Sequence, residues 1–155
     1  MTAPWLAIVG IGEDGLDGLS PAARAVIDRA KVLVGGTRHL AMLPEDGRER
    51  LEWPSPLADL IPEIERRRGQ AVCVLASGDP FCFGIGNTLA RFIAPEEMAV
   101  VPAPSAFSLA GARLGWPLAQ VDLVTLHGRP LDTLHAYIQP GARLLILSEN
   151  HTTPA

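Results

Sequence analysis

The stretch AIVGIGEDGLDGLS, Ala7 to Ser20, sets a glycine-rich turn directly behind an apolar run. Leu6 to Val9 reads as a strand, and Gly10, Gly12 and Gly15 spell G-x-G-x-x-G, the written form of a dinucleotide fingerprint. Ser20 followed by Pro21 supplies an N-cap and a first helical residue for the segment PAARAVIDRA. A strand, a glycine turn and a helix in that order open an α/β unit. Which ligand the turn serves is a separate matter. A dinucleotide site needs a helix that starts at the loop, an acid about 20 residues further on after the second strand, and no negative charge facing the pyrophosphate. Here the helix signal begins only at Ser20, the second strand ends in Gly35 and Gly36 with no carboxylate, and the loop carries Glu13 and Asp14. A tight turn requiring positive φ explains glycines but not two adjacent acids at the carboxyl edge of a first strand, where open α/β sheets bind ligands.

Outward from that stretch, Val, Ile and Leu-rich runs alternate with segments of helical period. WLAIVG, AKVLVG, AVCVLAS, MAVVP, VDLVTLH and ARLLILS read as strands, several of them apolar on both faces. TRHLAML, PLADLIPEIERRRG, GIGNTLARFI and SAFSLAGARLG read as helices between them. The expected fold is α/β, a three-layer domain with a mainly parallel five-stranded sheet over residues 1–127. A connector follows at 128–141. The run at 142–148 is expected to be the first strand of a truncated second α/β domain, covering 142–155, because no helix follows to cover it.

The totals exclude several classes of partner. With 48% hydrophobic residues in 155, the chain has material for one buried core. Its 13 basic residues against 17 acidic ones are scattered apart from Arg66 to Arg68, so no stripe tracks a nucleic-acid backbone. No run reaches the ~18 apolar residues of a membrane span, and a cytoplasmic location is the expectation. Cys73 and Cys82 have no neighbouring histidines and match neither a metal pattern nor a disulfide framework.

Two further loops have the composition of ligand-binding backbone. After the third strand comes LASGDPFCFGIG, in which Ser77, Gly78, Asp79 and Pro80 precede Phe81 and Phe83. Small residues there let a ligand lie against main-chain donors and acceptors, although an Asp-Pro turn has the same letters. In VPAPSAFSLAGARLGWP, Ser105 stands at a helix start, where its hydroxyl caps the helix or meets a ligand. Loops after strands one, three and four share one edge of a parallel sheet.

The set VGIGEDG, LVGGTRHL, ASGDPFCFG, PAPSAFSLAGARLGWPL and LHGRPL, taken in order along the chain, resembles the tetrapyrrole methylase family, at its C5-methylating branch. The resemblance implies S-adenosylmethionine-dependent C-methylation of a precorrin, at C5 of precorrin-6, in cobalamin biosynthesis. It implies a cofactor held between two α/β domains, with Ser77, Gly78, Asp79 and Cys82 contacting it from one loop and Ser105 with Ala106 from the next. The tetrapyrrole would then face Gly10, Gly12, Glu13 and Asp14, with Arg38, His39 and Arg129 near its acetate and propionate groups. Glu13 and Asp14 depart from the Pro-Gly common in that family and are the candidate proton acceptors. Expected partners are the missing second subdomain, a fused or separate C15-methylating and decarboxylating domain, and a second copy of the chain. No metal is expected. Two other classes remain open on the residues alone: a dinucleotide-binding oxidoreductase domain, and a non-catalytic α/β module that pairs with a partner domain.

Overall fold

The computed structural model describes residues 3–150. Five strands, β1 (Leu6–Ile11), β2 (Val32–Gly35), β3 (Glu49–Glu52), β4 (Val72–Ser77) and β5 (Met98–Val101), form one parallel sheet in the order β3-β2-β4-β1-β5. The register pairs Leu6 with Val72 and with Met98, and carries β1 and β4 side by side as far as Ile11 and Ser77. Alternate residues of each strand enter separate cores, as the pleat requires. Ile8, Val34 and Val74 pack with Ile61 and Ile64 of α3 (Ile61–Glu65) and Leu89 of α4 (Ile85–Leu89). On the opposite face, Val9, Leu33 and Leu75 pack with Ala23 and Ile27 of α1 (Pro21–Arg29) and Leu40 of α2 (Thr37–Ala41). The unit therefore has three layers, and residues such as Ile8 and Leu33, wholly shielded from solvent, each contribute about 1.5–3 kcal/mol by burial.

Local chemistry sets the helix ends. The Ser20 hydroxyl accepts from the Ala23 amide at 3.1 Å, and Pro21 opens α1 where no amide is needed. At the other end Arg48 Nη1 donates to the carbonyls of Ile27, at 2.6 Å, and Ala30, at 3.3 Å, satisfying acceptors the helix leaves over. Cys73 lies in the second core, where burial pushes its thiol up to about 12 and leaves it a small apolar residue.

Membership of the sheet differs from the sequence expectation in one strand. Residues 49–52, ERLE, form its edge, and residues 121–127 do not belong to it. ERLE lacks an apolar run because an edge strand has one neighbour and little cover; it is held by pairing to β2 and by Arg67, which joins Glu49 to Glu63 of α3. Residues 121–127 instead contribute β6 (Asp122–Thr125), which pairs in parallel with β7 (Leu144–Leu147) in a separate two-stranded sheet.

The chain divides into two compact units after Ser105, whereas the sequence reading placed its boundary at 127. The second unit contains α5 (Ala106–Leu114), β6, a 3-10 helix over Leu131–Ala136 and β7. The expected connector thus becomes the crossover that a parallel pair requires. Within this unit the Arg143 guanidinium lies 5.4 Å over the Trp116 ring, and His127 Nε2 donates to the Ser148 carbonyl at 2.7 Å. Among the described residues no helix is long and apolar enough to cross a membrane.

Candidate functional site

β1 and β4 are neighbours in the first sheet, yet the helices that follow them cover opposite faces. A parallel sheet opens a crevice outside its strand ends at such a point, because the two connections diverge there. β2 and β4 stand in the same relation. The loops after β1, β2 and β4 accordingly meet at one edge.

Main-chain hydrogen bonds sew these loops together. The Gly78 amide donates to the Ile11 carbonyl at 2.8 Å, and the Ala103 amide donates to the Gly78 carbonyl at 3.1 Å. Gly10 lies where these segments cross. A Cβ there would fall 1.9 Å from the Gly78 oxygen and 2.6 Å from the Ala103 nitrogen, so only glycine fits. Of the three fingerprint glycines only Gly15 has positive φ, +59°; Gly10 serves the close approach of another loop. A Cβ at Gly12 would touch only the Ala103 methyl, at 3.9 Å, and one at Gly36 would meet nothing within 4 Å. Those two glycines face open space.

Glu13 and Asp14 are exposed on the turn closed by the Gly15 amide on the Gly12 carbonyl at 3.1 Å. Ser77 ends β4, and Gly78 takes φ +58° with the Pro104 carbonyl 3.1 Å from where a Cβ would be. Asp79 Oδ1 accepts from the Phe81 amide at 2.9 Å, an Asx turn that curls the segment back over itself. Cys82 is half-buried and donates its amide to the Asp79 carbonyl at 3.1 Å. Asn87 Nδ2 donates to the Phe81 carbonyl at 3.1 Å, pinning the loop to α4. Ser105 is buried at the end of the first unit. Ala106 and the exposed Arg129 belong to the second unit.

Two features of this edge carry no signal in the sequence. Phe83 adopts φ +55°, a left-handed conformation that costs a non-glycine residue about 1–2 kcal/mol. Phe81 and Phe83 are each 44% exposed, so aromatic surface borders the small-residue loop. A Phe between glycines carries no signal of its φ in the sequence. The second feature is the burial of His39, which the resemblance places near the substrate's acetate and propionate groups and which is only 8% exposed. Burial, and next the Arg38 charge, hold its pKa below the ordinary value, so it is neutral at pH 7.

This depression makes a stability prediction. The unfolded chain takes up a proton at His39 near pH 6.5, and the folded chain does so only at lower pH. The neutral form's contribution is therefore complete above about pH 6.5 and is lost as pH falls toward the folded value. His39→Gln keeps an acceptor without titrating, so thermal melts between about pH 7.5 and pH 5 should show the variant gaining on the native chain by a few degrees as the solution acidifies. A difference independent of pH would show that His39 does not titrate in this environment.

The first unit is thus of the parallel α/β ligand-binding class, with a cradle of main-chain groups, small residues and aromatic edges at its carboxyl edge. α1 begins only at Pro21, so the first loop does not present a helix N-terminus as a dinucleotide site does. The chain belongs to the Tetrapyrrole (Corrin/Porphyrin) Methylases, whose family model matches residues 6–153. It is 49% identical over 156 residues to the precorrin-6Y C(5,15)-methyltransferase [decarboxylating] of Sinorhizobium sp, covering 99% of this chain and 38% of that protein. It is 38% identical over 124 residues to the cobalt-precorrin-7 C(5)-methyltransferase of Salmonella typhimurium, covering 80% of this chain and 62% of that one. The crystal structure of a cobalamin biosynthesis precorrin-6Y methylase from Archaeoglobus fulgidus superposes with a TM-score of 0.67 at 28% identity, over 97% of this chain and 75% of that one. The chain thus spans less than two thirds of the length of either curated relative.

Proposed function

We propose that this chain belongs to a cytoplasmic enzyme of cobalamin biosynthesis that methylates C5 of a precorrin, with S-adenosylmethionine as methyl donor. The observation that carries this reading is the double match. Relatives named for C5 and C15 and relatives named for C5 alone both align along most of the chain, and C5 is what their names share.

The donor set at the sheet edge fits such a cofactor. Gly36 leaves room beside main-chain groups, and the exposed surfaces of Phe81 and Phe83 suit an adenine ring or a sulfonium cation. Ser77, Gly78, Asp79, Cys82 and Ser105 would hold the cofactor from the first unit. Gly12, Glu13 and Asp14 would face the macrocycle; Gly10 acts beneath them by admitting the neighbouring loop. When bound, S-adenosylmethionine supplies an electrophilic methyl group on a good leaving group. What remains for the protein is alignment, exclusion of water and acceptance of one proton from the methylated macrocycle. No protein nucleophile is required.

Calorimetry of the chain with S-adenosylhomocysteine and with NADH tests the class, and transfer of a labelled methyl group to a precorrin tests the reaction. Binding of the thioether and not of NADH is expected. Tight NADH binding would return the site to an oxidoreductase. A narrower check uses the strained aromatic. Phe83→Gly removes the left-handed penalty but adds chain entropy, so stability should move by no more than about 1 kcal/mol. Affinity for S-adenosylhomocysteine should fall about tenfold as the aromatic wall is lost. Unchanged affinity would take Phe83 out of the cofactor site.

A further inference from the structure

The Arg38 guanidinium differs from the paired arginines of the first unit, and unlike other cations with no carboxylate partner among the described residues, such as Arg29 and Arg91, it is held at the loop edge by neutral side chains. Arg48, Arg50, Arg67 and Arg68 each face a carboxylate. Arg38 touches neutral groups only: its Nη2 lies 3.3 Å from His39 Nε2 and 3.4 Å from Ser77 Oγ, and among the described residues no carboxylate pairs with it. Ser77 Oγ is in turn 3.3 Å from His39 Nε2, which closes a triangle. A guanidinium can only donate, so Nε2 accepts, and the imidazole carries its proton on Nδ1. The Ser77 hydroxyl accepts from Arg38 and shares with it the single lone pair of the same ring nitrogen. His39 is buried on α2 beside β4, while Arg38 is exposed at the edge where the loops converge.

We propose that Arg38 is the anchor for a side-chain carboxylate of the substrate, and that His39 is a positioning residue which aims it together with Ser77. This rests on the tetrapyrrole reading above. An exposed arginine ordinarily loses rotamer freedom when it captures an anion; here much of that ordering is present before binding, and donors remain on the guanidinium for a two-pronged hydrogen bond to carboxylate. Among the described residues the carboxyl edge of β4 thus holds a cation with no carboxylate partner, contacted by two neutral side chains.

The test compares the polycarboxylate uroporphyrin with its uncharged amide derivative by fluorescence titration of the full chain, beside calorimetry with S-adenosylhomocysteine. The native chain should prefer the acid. Arg38→Gln should reduce that preference about tenfold or more while S-adenosylhomocysteine affinity stays within about twofold. His39→Gln, which preserves an acceptor, should keep the preference, and His39→Leu should lose it with an unchanged circular dichroism spectrum. In turnover, Arg38→Gln should raise KM for the macrocycle with little change in kcat. An acid preference that survives Arg38→Gln, or is absent from the native chain, overturns the anchor; one that survives His39→Leu overturns the positioning role. If the chain binds no S-adenosylhomocysteine yet shows an Arg38-dependent acid preference, the assignment of the cofactor to this chain's loops falls and the anchor stands.

Discussion

Gly10→Ala should lower the stability of the five-stranded unit by about 3 kcal/mol or more, the largest effect expected of any single methyl group in the protein. The added carbon would sit 1.9 Å from the Gly78 carbonyl oxygen and 2.6 Å from the Ala103 nitrogen. Both neighbours are backbone and cannot turn aside as a flexible side chain would. The Gly78 carbonyl is moreover the acceptor for Ala103, and the Gly78 amide is bound to Ile11, so relief of the clash breaks the bonds that hold the β1, β4 and β5 loops together. Melting of the variant followed by circular dichroism should show a midpoint lower by roughly 6–12 °C, with loss of S-adenosylhomocysteine binding even where the unit remains folded. Gly12→Ala is the control: its Cβ meets one methyl at 3.9 Å, so stability should be nearly native. A Gly10→Ala protein as stable as the native one would mean that the loops do not cross as described.

The second large effect concerns the acids of the same turn. On the proposed reading, bound S-adenosylmethionine would supply the methyl group and keep the C–S electrons on its sulfur, and the methylated macrocycle would have one proton to lose. Glu13 and Asp14 are exposed carboxylates at the carboxyl edge of β1 and are the proposed acceptors. Replacing the acting one by its amide, Glu13→Gln or Asp14→Asn, in an enzyme of the relatives' full length should lower turnover by about 10²-fold with cofactor affinity nearly unchanged. The amide retains size and hydrogen bonding while removing basicity, so the comparison isolates proton transfer. Methyl transfer measured beside S-adenosylhomocysteine binding separates the two quantities. Near-native turnover in both variants would remove the turn from the chemistry and leave it as part of the scaffold.

The layers of the first unit were legible in the sequence because strands such as VLVG and VCVLA carry no polar side chain, and a strand covered on both faces has that composition. The loops that carry the candidate site were legible for a related reason. Glycine, proline and serine behind such a strand mark main chain left available, and a parallel sheet puts all such loops at one edge. Tertiary structure alone decided the rest. ERLE became a strand through its hydrogen bonds to β2 and the Arg67–Glu49 pair, contacts between segments far apart in sequence. DLVT paired with LLIL because an apolar run reports that it is covered, not which strand lies beside it. Gly10 was readable as a glycine of a turn, and its real constraint, another loop's carbonyl at 1.9 Å from a would-be Cβ, exists only once the chain has folded. The same holds for His39. Its neighbour in sequence is Arg38, and only burial, together with the Arg38 charge, lowers its pKa and leaves it neutral beside Ser77. Periodicity and turn chemistry are local and can be read along the chain, whereas neighbour choice, close approach and charge state depend on what lies across space from each residue.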